Sequence, residues 1–137
     1  MELSFEWPDP ALSPNARLHF RVKAQHVSAA RMVARLVTLN SGQTVPDDGA
    51  LEAVITFFPP DKRGRDVDNL LSSLKPTLDG IFDALGTNDR RIRRTVLEWG
   101  ERELAGRVVI EIKPLVRGYR TSANAAGKQA EFQHHQK

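Results

Sequence analysis

The chain has no cysteine in its 137 residues, which excludes disulfides, thiolate metal sites and cysteine nucleophiles and fits a reducing compartment. It also lacks any apolar run approaching membrane-spanning length. Its N-terminus, MELSFEWPDP, carries acids and prolines where a signal peptide carries a basic patch and then an apolar stretch. A soluble, unprocessed, cytoplasmic protein without a membrane partner is expected. There is no glycine-rich phosphate loop and no nucleophile elbow, so neither a nucleotide cofactor nor a serine-type hydrolase is indicated. His19 and His26 stand isolated, while His134 and His135 lie in a polar C-terminal stretch that offers no scaffold for a metal. No internal repeat is present.

A chain of this length builds one ordinary domain with a real core. A net charge of +3 and an isoelectric point near 9.6 permit a nucleic-acid partner without requiring one. LSFEW alternates and stops at prolines, and so reads as a first strand followed by a loop through SPNAR. The apolar spacing predicts a helix over Val27 to Leu39 with Ser28 as N-cap, ended by Asn40, Ser41 and Gly42. LEAVITFF reads as a covered strand closed by Pro59 and Pro60. A second helix follows from Leu70 to Leu85, with Pro76 predicting a kink or irregular turn near Ser72 and Ser73. RTVLEW and RVVIEIKP read as a β-hairpin. Residues 1–114 are therefore expected to form a single α/β domain, a mixed β-sheet with two main helices packed on it. Residues 115–137 are expected to be a disordered basic tail.

The chemistry concentrates in DKRGRDVDNLLSSLKPTLDGIFDALGTNDRR, residues 61–91. Asp66 and Asp68 stand two apart, and carboxylates so close repel unless a cation sits between them. Hard oxygens in this number suit Mg²⁺, with Mn²⁺ as a substitute. A third acid, Asp89, follows the helix and the turn GTN, whereas Asp79 and Asp83 lie within the helix. The competing role for Asp66 or Asp68 is capping of the helix, which needs only one of them. A calcium loop read from Asp66 fails, because Leu71 stands where glycine is needed and Thr77 where glutamate is. Lys75 lies two turns beyond Asp68. Its ammonium either reaches the acids or snorkels from a buried stem. Lys62, Arg63 and Arg65 precede the acids and Arg90, Arg91, Arg93 and Arg94 follow Asp89, a pattern suited to holding a phosphate backbone; the alternative is a solvated face.

The run RDVDNLLSSLKPTLDGIFDAL followed by ND resembles the signature of RusA-type crossover junction endodeoxyribonucleases, the small resolvases that cut Holliday junctions. LSPNAR and GRVVIEI extend the likeness weakly to either side, so that it covers most of the chain up to Pro114. The resemblance implies that Asp66, Asp68 and Asp89 bind Mg²⁺, that Lys75 is catalytic, and that Arg65, with Asn15 and Arg17 of the proline-asparagine loop, contacts DNA. It implies a homodimer acting on four-way DNA junctions in recombination and repair, its paired nicks leaving 5′-phosphate and 3′-hydroxyl ends. In this chain LSS stands inserted ahead of LKP, adding nearly one helical turn before the lysine. Asn88 occupies a position that is acidic in many members. Two rivals remain: a junction-binding module or resolvase relic without cleavage, and a glycosyltransferase, for whose nucleotide-binding domain the chain has no room.

Overall fold

Every residue of LEAVITFF is wholly or partly withdrawn from water, and the strand it forms, Leu51–Phe58, is central. The computed structural model describes residues 1–116 and has four strands, β1 (Glu2–Phe5), β2 (Leu51–Phe58), β3 (Ile92–Trp99) and β4 (Arg107–Pro114), in spatial order β1-β4-β2-β3. β4 runs antiparallel to both β1 and β2, and β3 runs parallel to β2. The fold is thus one small α/β domain on a mixed sheet. The expected tail lies outside the described residues from 117 onward.

The expected hairpin of the last two strands is replaced by a crossover. β2 lies between β3 and β4, with Phe57 opposite Trp99 on one side and Val108 on the other. The residues 59–91 return the chain to the start of β2, so β3 must run parallel to it. The loop after Trp99 then carries β4 past β2 to the far side, where Val108, Ile110 and Ile112 join the core.

Helix α1 spans Phe20–Ser41, starting seven residues before the expected Val27 and without Ser28 as its cap. Instead His19 Nδ1 accepts from the Arg21 amide at 3.2 Å. The periodic signal missed this turn because Phe20, Arg21 and Val22 are exposed. The end is as expected, with Gly42 in the left-handed region at φ 67°. The second helix is broken as Pro76 requires, into α2 (Val67–Ser73) and α3 (Lys75–Leu85) with Leu74 between them. Pro76 falls in the first turn of α3, where its missing N–H has no helical partner to lose.

α1 and α3 cross closely because Gly80 has no side chain: a Cβ there would stand 2.1 Å from the Arg31 carbonyl oxygen and 2.9 Å from Ala34 Cβ. Arg31 clamps the crossing with a forked pair to Asp83, at 2.6 and 2.8 Å. Leu51, Ile55, Phe57 and Ile81 are fully buried between the sheet and the helices. On alternate positions of the strands Glu52 meets its register partners Arg94 at 2.8 Å and Lys113 at 3.7 Å. Among the described residues no helix is long and apolar enough to cross a membrane.

Candidate active site in the groove between α2 and β3

The edge strand β3 and the α2–α3 corner leave a groove of about 520 Å³ bordered by Leu71, Ser72, Lys75, Leu78, Ile92 and Thr95, with Ala53 and Ile55 as its floor. The acids sit at the ends of the elements that form it. Asp66 is the N-cap of α2, its Oδ1 accepting from the amides of Asp68 at 2.9 Å and Asn69 at 3.4 Å. The capping role is therefore real and falls to Asp66. Asp68, in the first turn, is exposed, and its carboxylate accepts no hydrogen bond among the described residues.

Lys75 opens α3 and reaches across the crossover to Asp89. Its ammonium donates to Asp89 Oδ2 at 2.6 Å and lies 3.0 Å from Asp79 Oδ1. Hydrogen bonding to Asp89 first, and to Asp79 second, raises the Lys75 pKa, so the group is an ammonium at neutral pH. The Lys75 side chain is 60% exposed while it also borders the groove, so a stem along apolar surface and a charged head at the acids are both present. Asp79, which sequence spacing assigned only to the helix, is the second partner of the lysine. The i, i+4 relation of Lys75 and Asp79 was available as a signal.

Leu51 pairs with Ile92 and Phe57 with Trp99, so Asp89 precedes the start of β3 while Asp66 follows the end of β2. Among the described residues no group of three histidine or acidic side chains stands as a ready metal cage. The side-chain contact that Asp89 makes is with Lys75, at the head of α3. In kind, the donors fit a hard divalent cation. Asp68 has both oxygens uncommitted, Asp66 has Oδ2 free beside its capping Oδ1, and no soft donor is present.

The basic residues divide into two kinds. Arg65, expected to face DNA, is a brace, only 12% exposed in its side chain. It bonds the Asp61 carboxylate at 2.8 Å and the carbonyls of Asp61 and Arg63 at 3.2 and 3.0 Å, and lies 5.1 Å over the Trp7 ring. Arg91 is another, holding the 46–49 loop through the carbonyls of Pro46 at 2.7 Å and Gly49 at 2.9 Å. Arg94 is committed to Glu52. By contrast Lys62, Arg90 and Arg93 are exposed, with no side-chain partner among the described residues. Arg93 is the extra residue of a register shift opposite Leu51 and Glu52, which turns it out of the ladder. Arg63 pairs loosely with Asp61 at 3.2 Å yet is 80% exposed. Asn15 and Arg17 lie exposed in the loop before α1, with Asn15 tied only through its amide to Ser13 Oγ. Asp61, which sequence reasoning passed over, organises the whole loop. The hydrogen bond from the Arg63 amide, then its side chain and that of Arg65, depress its pKa to about 2.

No family model matches this chain. An uncharacterized protein of Xylella fastidiosa is 42% identical over 113 residues, covering 80% of this chain and 74% of the relative. At that identity and coverage, the chain belongs to the same family as the Xylella fastidiosa protein.

Proposed function

We propose that the chain is a RusA-type, Mg²⁺-dependent endonuclease that resolves four-way DNA junctions by paired nicking, working in the cytoplasm in DNA recombination and repair. The observation that carries this reading is the Lys75 ammonium held at 2.6 Å from Asp89 beside a helix whose first residues present Asp66 and Asp68. Lysine and acids are the residue types a phosphodiester hydrolase needs, and Asp66, Asp68, Asp89 and Lys75 are the four that the resemblance implies. Asp66, Asp68 and Asp89 would hold Mg²⁺, whose chemistry there is to lower the pKa of a water and neutralise phosphate oxygens. Lys75 offsets charge growing on a non-bridging phosphate oxygen. Lys62, Arg63, Arg90 and Arg93 neutralise flanking phosphates, while the Arg65 brace holds the loop that leads into Asp66.

A homodimer belongs to this reading, since a junction with two-fold symmetry is cut by two sites related by a dyad. It is supported by α1, whose outer side leaves Met32, Val33, Leu36 and Leu39 about half exposed. A second reading, a junction-binding module without cleavage, is favoured by the commitment of Asp66 to its cap and of Asp89 to Lys75. One assay separates the two. Protein is incubated with a four-way junction, a duplex and a flap, with and without Mg²⁺. Symmetric, ligatable nicks in the junction alone, dependent on Mg²⁺, are the expected outcome; tight junction binding with every strand intact selects the second reading.

A further inference from the structure

Beyond the groove, the loop from Pro59 to Arg65 and the end of β3 border a shallow, open depression of about 430 Å³ lined by Pro59, Asp61, Lys62, Arg63, Arg65 and Trp99. Trp99 is opposite the buried Phe57 in register and packs against it at 5.7 Å between ring centroids, yet half of the residue, 50%, stays in water. The chain after it stays against β2: Gly100 lies so close to the Phe58 ring that a Cβ there would stand 2.3 Å from it, and its amide donates to the Phe57 carbonyl at 2.8 Å. The loop opposite is braced by the bonds of Arg65 to Asp61 and to the Arg63 carbonyl. The one carboxylate of the depression is consumed by Arg63 and Arg65. What faces outward is an indole flanked by the Lys62 ammonium, which has no partner among the described residues, and the 80% exposed Arg63 guanidinium.

We propose that this depression receives one unstacked nucleobase of DNA, its ring on the Trp99 indole and its neighbouring phosphates on Lys62 and Arg63. Stacking on an aromatic side chain beside a cationic track is how unpaired bases are held without regard to sequence. An intact duplex keeps both faces of each base covered, so the site distinguishes unpaired nucleotides at a branch or a single strand from continuous helix. The loop ends one residue before Asp66, so the segment bearing Lys62 and Arg63 runs directly into the first candidate acid. The source of that base, a junction branch point, rests on the nuclease reading; the stacking site itself does not.

Tryptophan emission of the full chain without divalent metal provides the test, with an oligothymidylate, a blunt duplex and thymidine monophosphate as separate probes. Oligothymidylate is expected to quench the wild type, and Trp99→Phe to remove that quenching while changing affinity less than about threefold, since a phenyl ring still stacks. Trp99→Ala, with folding checked by its melting transition, is expected to weaken oligothymidylate binding about tenfold and duplex binding little. Lys62→Gln, which disturbs no contact among the described residues, should weaken it about threefold. Quenching that persists in Trp99→Phe, unchanged affinity in Trp99→Ala, or equal quenching by the mononucleotide at the same concentration overturns the proposal. A wild type that shows Trp99-dependent quenching but leaves junctions uncut keeps the stacking site and removes the nuclease reading. One that nicks junctions while Trp99→Ala binds and cuts equally well does the reverse.

Discussion

Asp66 carries two roles that different substitutions separate. Asparagine retains an oxygen able to cap α2, whereas alanine removes it, so Asp66→Ala is expected to lower stability by about 1 kcal/mol and Asp66→Asn by much less. Both, like Asp68→Asn, should abolish Mg²⁺-dependent nicking, and Asp68→Asn should do so with an unchanged melting temperature because its carboxylate makes no bond among the described residues. Denaturation curves beside nicking rates test the separation; full activity in Asp68→Asn would remove it from the site. Asp61 offers a pH test of the loop. Its folded pKa, about 2, lies below the ordinary 3.8, so its contribution is fully present above that ordinary value and is lost as pH falls toward about 2. An acid transition in the Trp7 environment over that window is expected, absent in Asp61→Asn.

At the scale of elements, the position of Lys75 depends on α3, and α3 depends on its crossing with α1. Because the Arg31 carbonyl and Ala34 Cβ leave no room at Gly80, Gly80→Ala must separate the two helices and strain the Arg31–Asp83 fork. A loss of about 1–3 kcal/mol or more is expected by thermal or urea unfolding, against the usual gain for glycine to alanine in a helix. An increase in stability would show that the helices can move apart freely. The break at Leu74 is the other element-scale feature. It turns one long apolar periodicity into two helices, and the turn between them puts the lysine at the head of α3 and within reach of Asp89.

For the whole molecule, phosphate contact is expected through cations that have no side-chain partner among the described residues, Lys62, Arg90 and Arg93 among them. Gln at Lys62, Arg90 or Arg93 should weaken junction and duplex binding alike, each lowering the salt slope by roughly one, with stability unchanged. Gln at Arg94 should instead cost about 1–3 kcal/mol, since the Glu52 side chain it neutralises is only 10% exposed. Gln at Arg91 should loosen the 46–49 loop. Binding against salt concentration, alongside melting curves for each variant, tests the division; a salt slope altered equally by Arg94 and Arg93 would abolish it.

Local pattern alone determined much of this protein: the central strand LEAVITFF, the end of α1 at Gly42, the break forced by Pro76, and the charge spacing that marks Asp66, Asp68 and Lys75 as candidates. Each of these follows from side-chain periodicity, a backbone restriction or charge spacing within a few residues. Tertiary structure decided the strand order, because pairing of β4 with β2 instead of β3 depends on which edges the crossover leaves open, a matter of distant contacts. It likewise decided which cations face outward. Arg93 and Arg94 are adjacent and chemically identical, and only the register against Leu51 and Glu52 turns one to the solvent and the other to a buried carboxylate. The depression at Trp99 belongs to the same class, since its lining comes from residues 59–65 and 99, which meet only because β2 and β3 are parallel and end together.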